Sequence, residues 1–282
     1  MRERSQRFDP RQTMQKETFE VFHYREPRPG NVEVHHHDFY EVYYLLGGKV
    51  EYWVDGHIIA MQPGDLLLLS PQELHRPIVD PQSPLYERIV LWINREFLEG
   101  LQWPTMDLRS AFDGHTHLIR PDGSQRGALI ARVGELVREF YSNEPGNDIA
   151  AYGLFLQFMV LLNRLASQGS TKQVEQIPLS PLVQNTLSYI ADNLDQPITL
   201  EQLAARFYVS KYHLSHTFSR EVGVSVHRYI LLRRLAWARQ LMASGETAGQ
   251  TCKACGFSDY TAFYRAFKSE YGISPREFAA GE

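Results

Sequence analysis

Two histidines and a glutamate follow one another closely in the first third of the chain, as His35, His37 and Glu41. Neutral imidazole nitrogens together with a carboxylate are chemically suited to iron, zinc, manganese or nickel. The same groups can instead form hydrogen bonds to a small polar ligand, or simply satisfy one another. The residue types therefore indicate a polar site, and they leave metal binding and ligand binding both open.

The second group that could do chemistry is the pair Cys252 and Cys255, the two cysteines of the chain. A four-ligand zinc site would need distant histidines in addition. On a helix the two thiols lie one turn apart, where a small apolar side chain suits close packing. We expect packing rather than redox chemistry, and a reducing compartment, because two neighbouring cysteines make no secreted disulfide framework.

Length and composition are those of a soluble globular protein with room for two domains. The first ten residues contain no apolar core, so they do not predict a secretory signal. The apolar run over residues 149–162 is too short to span a bilayer and favours a buried helix. We therefore expect a cytoplasmic protein that does not contact a membrane.

The net charge of −4 hides an asymmetry along the chain. Residues 178–282 carry 11 basic and 9 acidic side chains, whereas the rest of the chain carries 18 basic and 24 acidic ones. A modestly basic tract on an acidic chain is compatible with contacts to nucleic acid phosphates. A solvated charged face would give the same count, so the charge alone does not decide the function.

Residues 18–93 carry the pattern of short strands separated by turns. Asp55-Gly56 is a two-residue hairpin signal, and Pro63-Gly64-Asp65 marks another turn. The predicted strands cover residues 18–24, 40–46, 50–54, 57–61, 66–69 and 86–93. Short strands with frequent turn residues favour a small barrel or sandwich.

The pattern becomes helical after Gly123. Apolar residues recur at helical spacing up to Phe140, and a second helix over residues 148–167 is apolar nearly all round. Such a helix must be buried on several sides, against the barrel or against a partner subunit. A polar, aperiodic stretch follows, so we expect a first domain at residues 1–168, a linker at 169–178 and an all-helical domain at 179–282.

Two segments of the helical domain repeat one another. Residues 218–229 align with 267–278 at an offset of 49, with Phe, Glu, Gly and Ser identical. Upstream, residues 203–210 align with 251–258 at an offset of 48. A duplicated helix-turn-helix unit accounts for both alignments. Its second helix buries two apolar residues four apart and exposes the opposite face, which can enter the major groove of DNA.

The repeated region resembles the DNA-binding domain of the AraC/XylS family of transcription regulators. The resemblance rests on the turn Gly256-Phe257-Ser258-Asp259 and on Phe263, Arg265, Phe267, Tyr271-Gly272, Ser274-Pro275 and Phe278. It implies double-stranded DNA and RNA polymerase as partners, and base-reading residues at Tyr212, Ser215, His216, Thr261, Tyr264 and Arg265. Arg265 is our preferred single residue, because arginine bonds bidentately to guanine.

One departure from that family concerns the first helix of the second unit. The family usually has two branched apolar residues there, where this chain has Ala248 and Thr251, with Gly249 between them. We therefore expect this helix to be weakly packed and poorly formed.

The segment from His35 to Glu41 also resembles the first motif of the cupins, and Pro63-Gly64-Asp65 through His75 resembles a degenerate second motif. In metal-binding cupins the matching residues hold a divalent metal. AraC-type sensor barrels keep a similar stretch without metal, and there the polar residues line the barrel. The resemblance therefore implies a site for a small effector, without a resident cofactor, on His35, His37, Glu41 and His75. Beside the resemblance, we expect Tyr43, which shares the strand face of Glu41, and Trp92 to line the same cavity. A divalent metal on the His and Glu residues of this set is the alternative.

These features predict an α+β protein with an N-terminal cupin-like β-barrel and flanking helices, followed by an all-α domain with two helix-turn-helix units. The family resemblance implies a ligand-responsive, homodimeric regulator without enzymatic activity, an activator of carbohydrate-related genes with a sugar as the effector class. The alternative is a cupin metalloprotein or metalloenzyme with an accessory DNA-binding domain. A DNA-packaging protein is disfavoured, because the basic charge is weak and the two readers expose different residues.

Overall fold

The structure is a computed structural model, and it describes residues 13–26, 32–113, 118–167 and 176–280. Residue contacts divide the chain into two compact units, with the main boundary between Ile177 and Pro178. The four residues Glu33–His36 are grouped with the second unit.

The first unit is built mainly from short antiparallel strands. They are β1 (Phe19–Glu26), β2 (Tyr40–Gly47), β3 (Val50–Val54), β4 (His57–Met61), β5 (Leu66–Leu69), β6 (His75–Val79), β7 (Tyr86–Ile93), β8 (Gln102–Trp103), β9 (Met106–Asp107), β10 (Leu118–Ile119) and β11 (Gln176–Ile177). Its helices are α1 (Arg95–Gly100), α2 (Gly123–Phe140) and α3 (Asn147–Ser167).

The strands form two larger sheets and one small hairpin. The five-stranded sheet has the order β1-β7-β2-β5-β10, the four-stranded sheet has the order β11-β4-β3-β6, and β8 pairs with β9. Alternate residues of β2 belong to different cores. Tyr43 and Leu45 lie in an aromatic-rich core with residues of the four-stranded sheet. Val42 and Tyr44 lie in a core with α2 and α3. Both faces of the five-stranded sheet are thus covered, which explains the nearly continuous apolar sequence of β2.

The six predicted strands are confirmed, with small differences at their ends. The strand β6 escaped prediction because it contains Pro77, which has no N–H for a ladder of hydrogen bonds. In the structure β6 lies at the edge of the four-stranded sheet, where proline is tolerated.

The polar stretch predicted as a linker begins outside the described residues, but its end is described. There Gln176 and Ile177 form β11 and pair antiparallel with Ile59 and Ile58 of β4. Two residues of the predicted linker 169–178 are therefore paired with the first compact unit, and the linker itself stays a prediction. The pairing extends the edge of a sheet through backbone hydrogen bonds, which composition alone does not reveal.

The turn Pro63-Gly64-Asp65 is fixed by two arginines that follow later in the chain. Gly64 has a φ of +100°, and a Cβ there would collide with the side chain of Arg126. Asp65 is fully buried and accepts hydrogen bonds from Arg120, whose Nη2 lies 2.8 Å from Oδ2. This buried ion pair holds the start of β5 in place.

Helix α3 has the length and composition of a membrane-spanning helix, and 39% of its most apolar 18-residue stretch is buried inside the protein. Phe155, Met159 and Leu162 are fully buried in the core that the helix shares with α2 and the five-stranded sheet. One face of α3 thus serves as a core face, whereas the prediction that several sides are buried would need a partner subunit and stays a prediction. The exposed apolar residue Ile149 lies near its beginning.

The second unit is all helical, as predicted. It contains α4 (Pro181–Asp192), α5 (Leu200–Arg206), α6 (Lys211–Val222), α7 (Val226–Ala243), α8 (Ala248–Ala254), α9 (Tyr260–Tyr271) and α10 (Pro275–Ala280). The pairs α5–α6 and α8–α9 are the two helix-turn-helix units. Helix α7 connects them and packs against α6, α8 and α9.

The expectation of a poorly formed α8 is wrong. Thr247 caps its N-terminus, and the side chain of Gln250 reaches back to the backbone of Thr247 in a capping box. Thr251 and Cys252 are buried, and Cys252 belongs to the core that also contains Phe263. Capping and packing together outweigh the poor helix propensity of this segment.

Candidate functional site

Helix α6 presents three of the predicted DNA-reading residues on its outer face. Ser210 caps the helix by accepting a hydrogen bond from the backbone N–H of His213. Leu214 and Phe218 are fully buried, so the opposite face points outward. On that face Tyr212 is 79% exposed and stacks on the ring of His216, with 5.9 Å between ring centroids. Ser215 is half-buried beside them.

Helix α9 repeats this arrangement in the second helix-turn-helix unit. Asp259 caps the helix through the backbone N–H of Ala262 at 2.8 Å. Phe263 and Phe267 are fully buried with their rings in edge contact. The predicted readers occupy the other side of the helix: Thr261 and Arg265 exposed, Tyr264 half-buried. The outward faces have the predicted residues; base contact by each residue stays a prediction.

Arg234 on α7 links the segment before the first helix-turn-helix unit to the turn of the second helix-turn-helix unit. Its guanidinium donates hydrogen bonds to the backbone oxygens of Leu194 at 3.0 Å and Gln196 at 2.6 Å, both between α4 and α5. The same group lies over the ring of Phe257, 6.0 Å from its centroid. Burial lowers the pKa of Arg234. Its role in joining the units was not predictable from a basic residue on a helix.

The turn of the second helix-turn-helix unit lies closely against the segment between α4 and α5. Gly256 has a φ of +73°, and a Cβ there would lie 2.8 Å from the backbone oxygens of Leu194 and Asp195. Only glycine fits so close an approach without displacement. Arg234 and Gly256 therefore pack the turn of the second helix-turn-helix unit against the segment that leads into the first.

In the first compact unit of the chain, which contains the strands, three of the predicted ligand residues converge between the two sheets. Glu41 lies on β2 of the five-stranded sheet, His75 begins β6 of the four-stranded sheet, and His37 precedes β2. One potential ligand atom from each of the three lies within 4.8 Å of the others, and all three side chains are buried. We call His37, Glu41 and His75 the buried triad.

Backbone carbonyls fix the ring orientation of both histidines in the buried triad. Nδ1 of His37 donates to the oxygen of Phe39 at 2.9 Å, and Nδ1 of His75 donates to the oxygen of Glu73 at 2.8 Å. Because a carbonyl only accepts, each Nδ1 carries the hydrogen, and in the neutral ring Nε2 carries a lone pair. Nε2 of His37 lies 3.2 Å from Oε2 of Glu41. In that tautomer Nε2 of His37 and Oε2 of Glu41 are two acceptors facing each other, an arrangement that a cation or a hydroxyl donor among the atoms of the triad would satisfy.

Trp92 completes this group from the neighbouring strand. In the antiparallel pair of β2 and β7 it stands directly opposite Glu41. Its indole N–H donates to Oε2 of Glu41 at 2.9 Å. The prediction placed Trp92 at the cavity, and in the structure its N–H orients the carboxylate of Glu41.

Tyr43, also predicted here, belongs to a second polar network in the same core. Its hydroxyl lies 2.6 Å from that of Tyr86, and burial raises the pKa of Tyr86 to about 12. The guanidinium of Arg88 lies over the rings of Tyr86 and Tyr24, 4.0 and 4.6 Å from the centroids. Sequence reasoning missed Tyr86 and Arg88, although both share the face of Trp92 in the two-residue period of β7.

His35 is not brought to the buried triad. It lies in an irregular segment before β2, half-buried, and its Nδ1 bonds to the backbone oxygen of Glu33 at 2.8 Å. Of the four residues predicted as cupin-like ligands, three therefore come together in the structure.

Cys252 and Cys255 are buried in the core of the second unit. Burial raises the pKa of the Cys255 thiol to about 12, and it also raises the pKa of Cys252. The thiolate is the reactive form of cysteine, so burial and the raised pKa both disfavour reaction of these side chains at neutral pH. This arrangement is that of packing residues, as expected.

The surface of α3 that faces away from the sheets borders a groove of about 760 Å³. Its apolar lining comes from Leu156, Val160 and Leu161 of α3, and from Trp103 and Met106 of the small hairpin. Arg132 and Arg164 stand at this groove as well.

Comparisons with known proteins cover both units. Residues 18–159 match the family model described as AraC-like ligand binding domain, and residues 203–281 match the model described as helix-turn-helix domain. The chain is 28% identical over 231 residues to the arabinose operon regulatory protein of Salmonella typhimurium, over 80% of this chain and 78% of the relative. It is 24% identical over 267 residues to the transcriptional activator RhaS of Escherichia fergusonii, over 91% of each.

Two solved structures give partial overlaps. The match to unsaturated fatty acid bound ToxT from Vibrio cholerae covers 94% of this chain and 97% of the ToxT chain, at 14% identity and a TM-score of 0.39. The C-terminal domain of AraT, a response regulator from Geobacillus stearothermophilus, covers 37% of this chain and 88% of its own, at 27% identity and a TM-score of 0.36.

Proposed function

The chain belongs to the AraC family of transcription regulators, and from this premise we propose that it activates carbohydrate-related genes in response to a sugar. The buried triad with Trp92 carries the proposal, because it is a polar group enclosed between sheets of a ligand-binding domain. Its acceptor atoms match the hydroxyl donors of a polyhydroxylated ligand, and the indole ring offers an apolar surface to sugar C–H groups. The names of the relatives, an arabinose operon regulator and a transcriptional activator, support the same class.

The ligand acts by differential affinity for two conformations of the regulator. A sugar that bonds to Glu41 and the two histidines replaces water or mutual contacts with directed hydrogen bonds. The conformation that allows these bonds gains population when the sugar binds, and DNA affinity changes accordingly. No catalytic step is needed for this response, so we assign the chain no enzymatic activity.

The test uses the full-length protein and a labelled DNA duplex recovered by in vitro selection from a random library. Binding to this duplex is measured with pentoses, hexoses and deoxyhexoses added singly. We expect one sugar to change the affinity about fivefold or more, the usual range of allosteric coupling, and to raise transcription from a reporter carrying the duplex. A panel that changes neither DNA affinity nor thermal stability contradicts the sugar class.

A homodimer is part of the proposal, with the groove on α3 as the contact surface. Ile130 of α2 and Trp103 are large apolar side chains exposed to solvent in this chain, at 51% and 45%. Exposed apolar area of this kind on a long helix is typical of a subunit interface. The protein would act in the cytoplasm, on double-stranded DNA and together with RNA polymerase.

A divalent cation in the buried triad is the second candidate effector. The observation that favours it is the convergence of two histidines and one carboxylate within 4.8 Å. The tautomers deduced above present Nε2 lone pairs, which fits a transition metal, and backbone carbonyls on Nδ1 are the usual outer partners of such ligands. Elemental analysis of protein purified without chelator tests it. One equivalent of zinc, iron, manganese or nickel that is lost in Glu41→Ala supports the cation and contradicts a purely organic effector.

A further inference from the structure

Tyr208 occupies a position in the first helix-turn-helix turn that ordinarily suits glycine. It lies between α5 and α6 with a φ of +56°, in the left-handed region. There the Cβ of an L-residue approaches the backbone too closely, so a bulky side chain in this region is an outlier. Tyr208 is also 95% exposed, so its ring contributes little burial to offset the strain.

The internal repeat supplies a comparison within the same chain. At the offset of 48, Tyr208 corresponds to Gly256, which has the same left-handed conformation with a φ of +73°. At Gly256 the surroundings forbid a side chain, because a Cβ would lie 2.8 Å from two backbone oxygens. At Tyr208 the side chain is open to solvent. The fold therefore requires the conformation at both turns, but it requires no aromatic ring at the first.

The position of Tyr208 indicates what its ring contacts. It precedes the first residue of α6, Lys211, by three positions, and the exposed Tyr212 follows within the first turn of that helix. When a recognition helix enters the major groove, residues before its N-terminus stand at the groove edge, where the phosphates are. The neighbouring cation Lys211 is engaged with Glu201 at 2.8 Å.

We propose that Tyr208 is a further DNA-contacting residue, whose hydroxyl donates a hydrogen bond to a backbone phosphate beside the bases that α6 reads. Tyrosine hydroxyls are among the common donors to DNA phosphates, and such contacts fix the register of a reader without reading sequence. The strain at Tyr208 is then offset in the complex with DNA rather than in the free protein, as is usual for backbone outliers at functional positions.

The test compares Tyr208→Gly, Tyr208→Asn and Tyr208→Phe in the full-length protein. Glycine and asparagine both tolerate the left-handed conformation, while phenylalanine removes only the hydroxyl. Affinity is measured by fluorescence anisotropy for the selected duplex and for a random-sequence duplex. We expect all three variants to bind both duplexes about tenfold to a hundredfold more weakly, the value of one hydrogen bond to a charged group. The slope of affinity against salt should not change, because a phenol releases no counterion.

Thermal stability separates this role from a structural one. The melting temperatures of the glycine and asparagine variants should equal or exceed that of the parent, because the strain is relieved. If Tyr208→Gly and Tyr208→Phe bind the selected duplex as tightly as the parent does, the proposal is overturned. The family function is then left intact, because the parent still binds this duplex. A loss confined to the selected duplex overturns the phosphate contact, and lower melting temperatures in both the glycine and the asparagine variants overturn the idea that the ring is idle in the fold.

Discussion

Trp92 stands directly opposite Glu41 in the antiparallel pair of β7 and β2 and donates its indole N–H to the carboxylate at 2.9 Å. The same oxygen lies 3.2 Å from Nε2 of His37. One carboxylate oxygen therefore accepts a hydrogen bond from an aromatic residue of its own sheet and also faces Nε2 of the histidine that precedes its strand. A change at Glu41 alters both contacts at once, which makes it the most informative residue of the buried triad.

We predict that Glu41→Gln abolishes the response to the effector and leaves DNA binding nearly unchanged. Glutamine keeps the shape of the side chain, but it replaces one acceptor oxygen with a donor NH₂ group and removes the charge. A polar ligand or a cation loses its main partner, whereas the two recognition helices are not affected. Effector-dependent DNA affinity and melting temperature are measured on the same variant.

Trp92→Phe is the matched control for that experiment, because it removes the N–H and keeps an aromatic ring. It should weaken the response only in part, since Glu41 itself remains. If Glu41→Gln lowers the melting temperature while induction stays intact, the carboxylate is structural and the buried triad is not the effector site.

A second prediction concerns base recognition. Arg265→Ala and His216→Ala should each weaken binding to the selected duplex by about 1–3 kcal/mol and relax the preference at one base position. Both side chains lie on the outer faces of recognition helices. Arg220→Ala is the control, because this exposed arginine near the end of α6 pairs with Glu221. Equal losses on selected and random duplexes would show that the two residues do not read bases.

The strand pattern was largely predictable because turn residues mark its boundaries. Asp55-Gly56 and the segment around Gly64 separated β3, β4 and β5 correctly, since positive-φ turns restrict residue type strongly. Pro77 concealed β6, because its tolerance depends on the strand being at an edge, which is a property of the sheet and not of the segment. The pairing of β11 was hidden for the same reason.

The candidate site was predictable in residue type but not in geometry. His37, Glu41 and His75 come from two sheets, and their meeting depends on how the sheets face each other. His35 shares the chemistry of these residues, but its segment Glu33–His36 groups with the other compact unit, which residue type cannot reveal. Arg234 shows the opposite case: a basic residue near the DNA-reading helices whose guanidinium is used on backbone carbonyls inside the protein.

Arg234 leads to the third prediction. Arg234→Lys keeps the charge, but an ammonium group cannot match the forked guanidinium that bonds Leu194 and Gln196 and lies over Phe257. We expect a loss of about 1–2 kcal/mol in the free energy of unfolding. Binding to duplexes in which the spacing between the two read segments is varied should show a flatter dependence on spacing. An unchanged spacing preference would mean that α7 alone fixes the two readers.

The fourth prediction concerns Cys255, whose pKa burial raises to about 12 from an ordinary value of 9.0. The folded state favours the neutral thiol, so this contribution to stability is complete below pH 9 and declines as the pH rises from 9 towards 12. At pH 8 a thiol reagent should modify Cys252 and Cys255 only after denaturant is added. Rapid modification of the native protein would contradict their role as packing residues.

The last prediction concerns assembly through α3. Leu156 and Val160 line the groove of about 760 Å³, whereas Ile149 lies at the beginning of the same helix and is 75% exposed. If a second copy covers the groove, an aspartate at either groove position places a charge in an apolar interface and should convert a dimer into a monomer.

Multi-angle light scattering of the full-length protein at tens of micromolar measures this. Ile149→Asp is the matched control and should remain dimeric, because it adds the same charge to the same helix outside the groove. Leu156 and Val160 are partly buried and also pack against the core of their own chain, so melting curves at low concentration are measured first, and a groove variant that still unfolds cooperatively is the one whose mass tests the interface. A parent protein that is monomeric at this concentration, or groove variants that remain dimeric, would show that α3 is not the interface between copies.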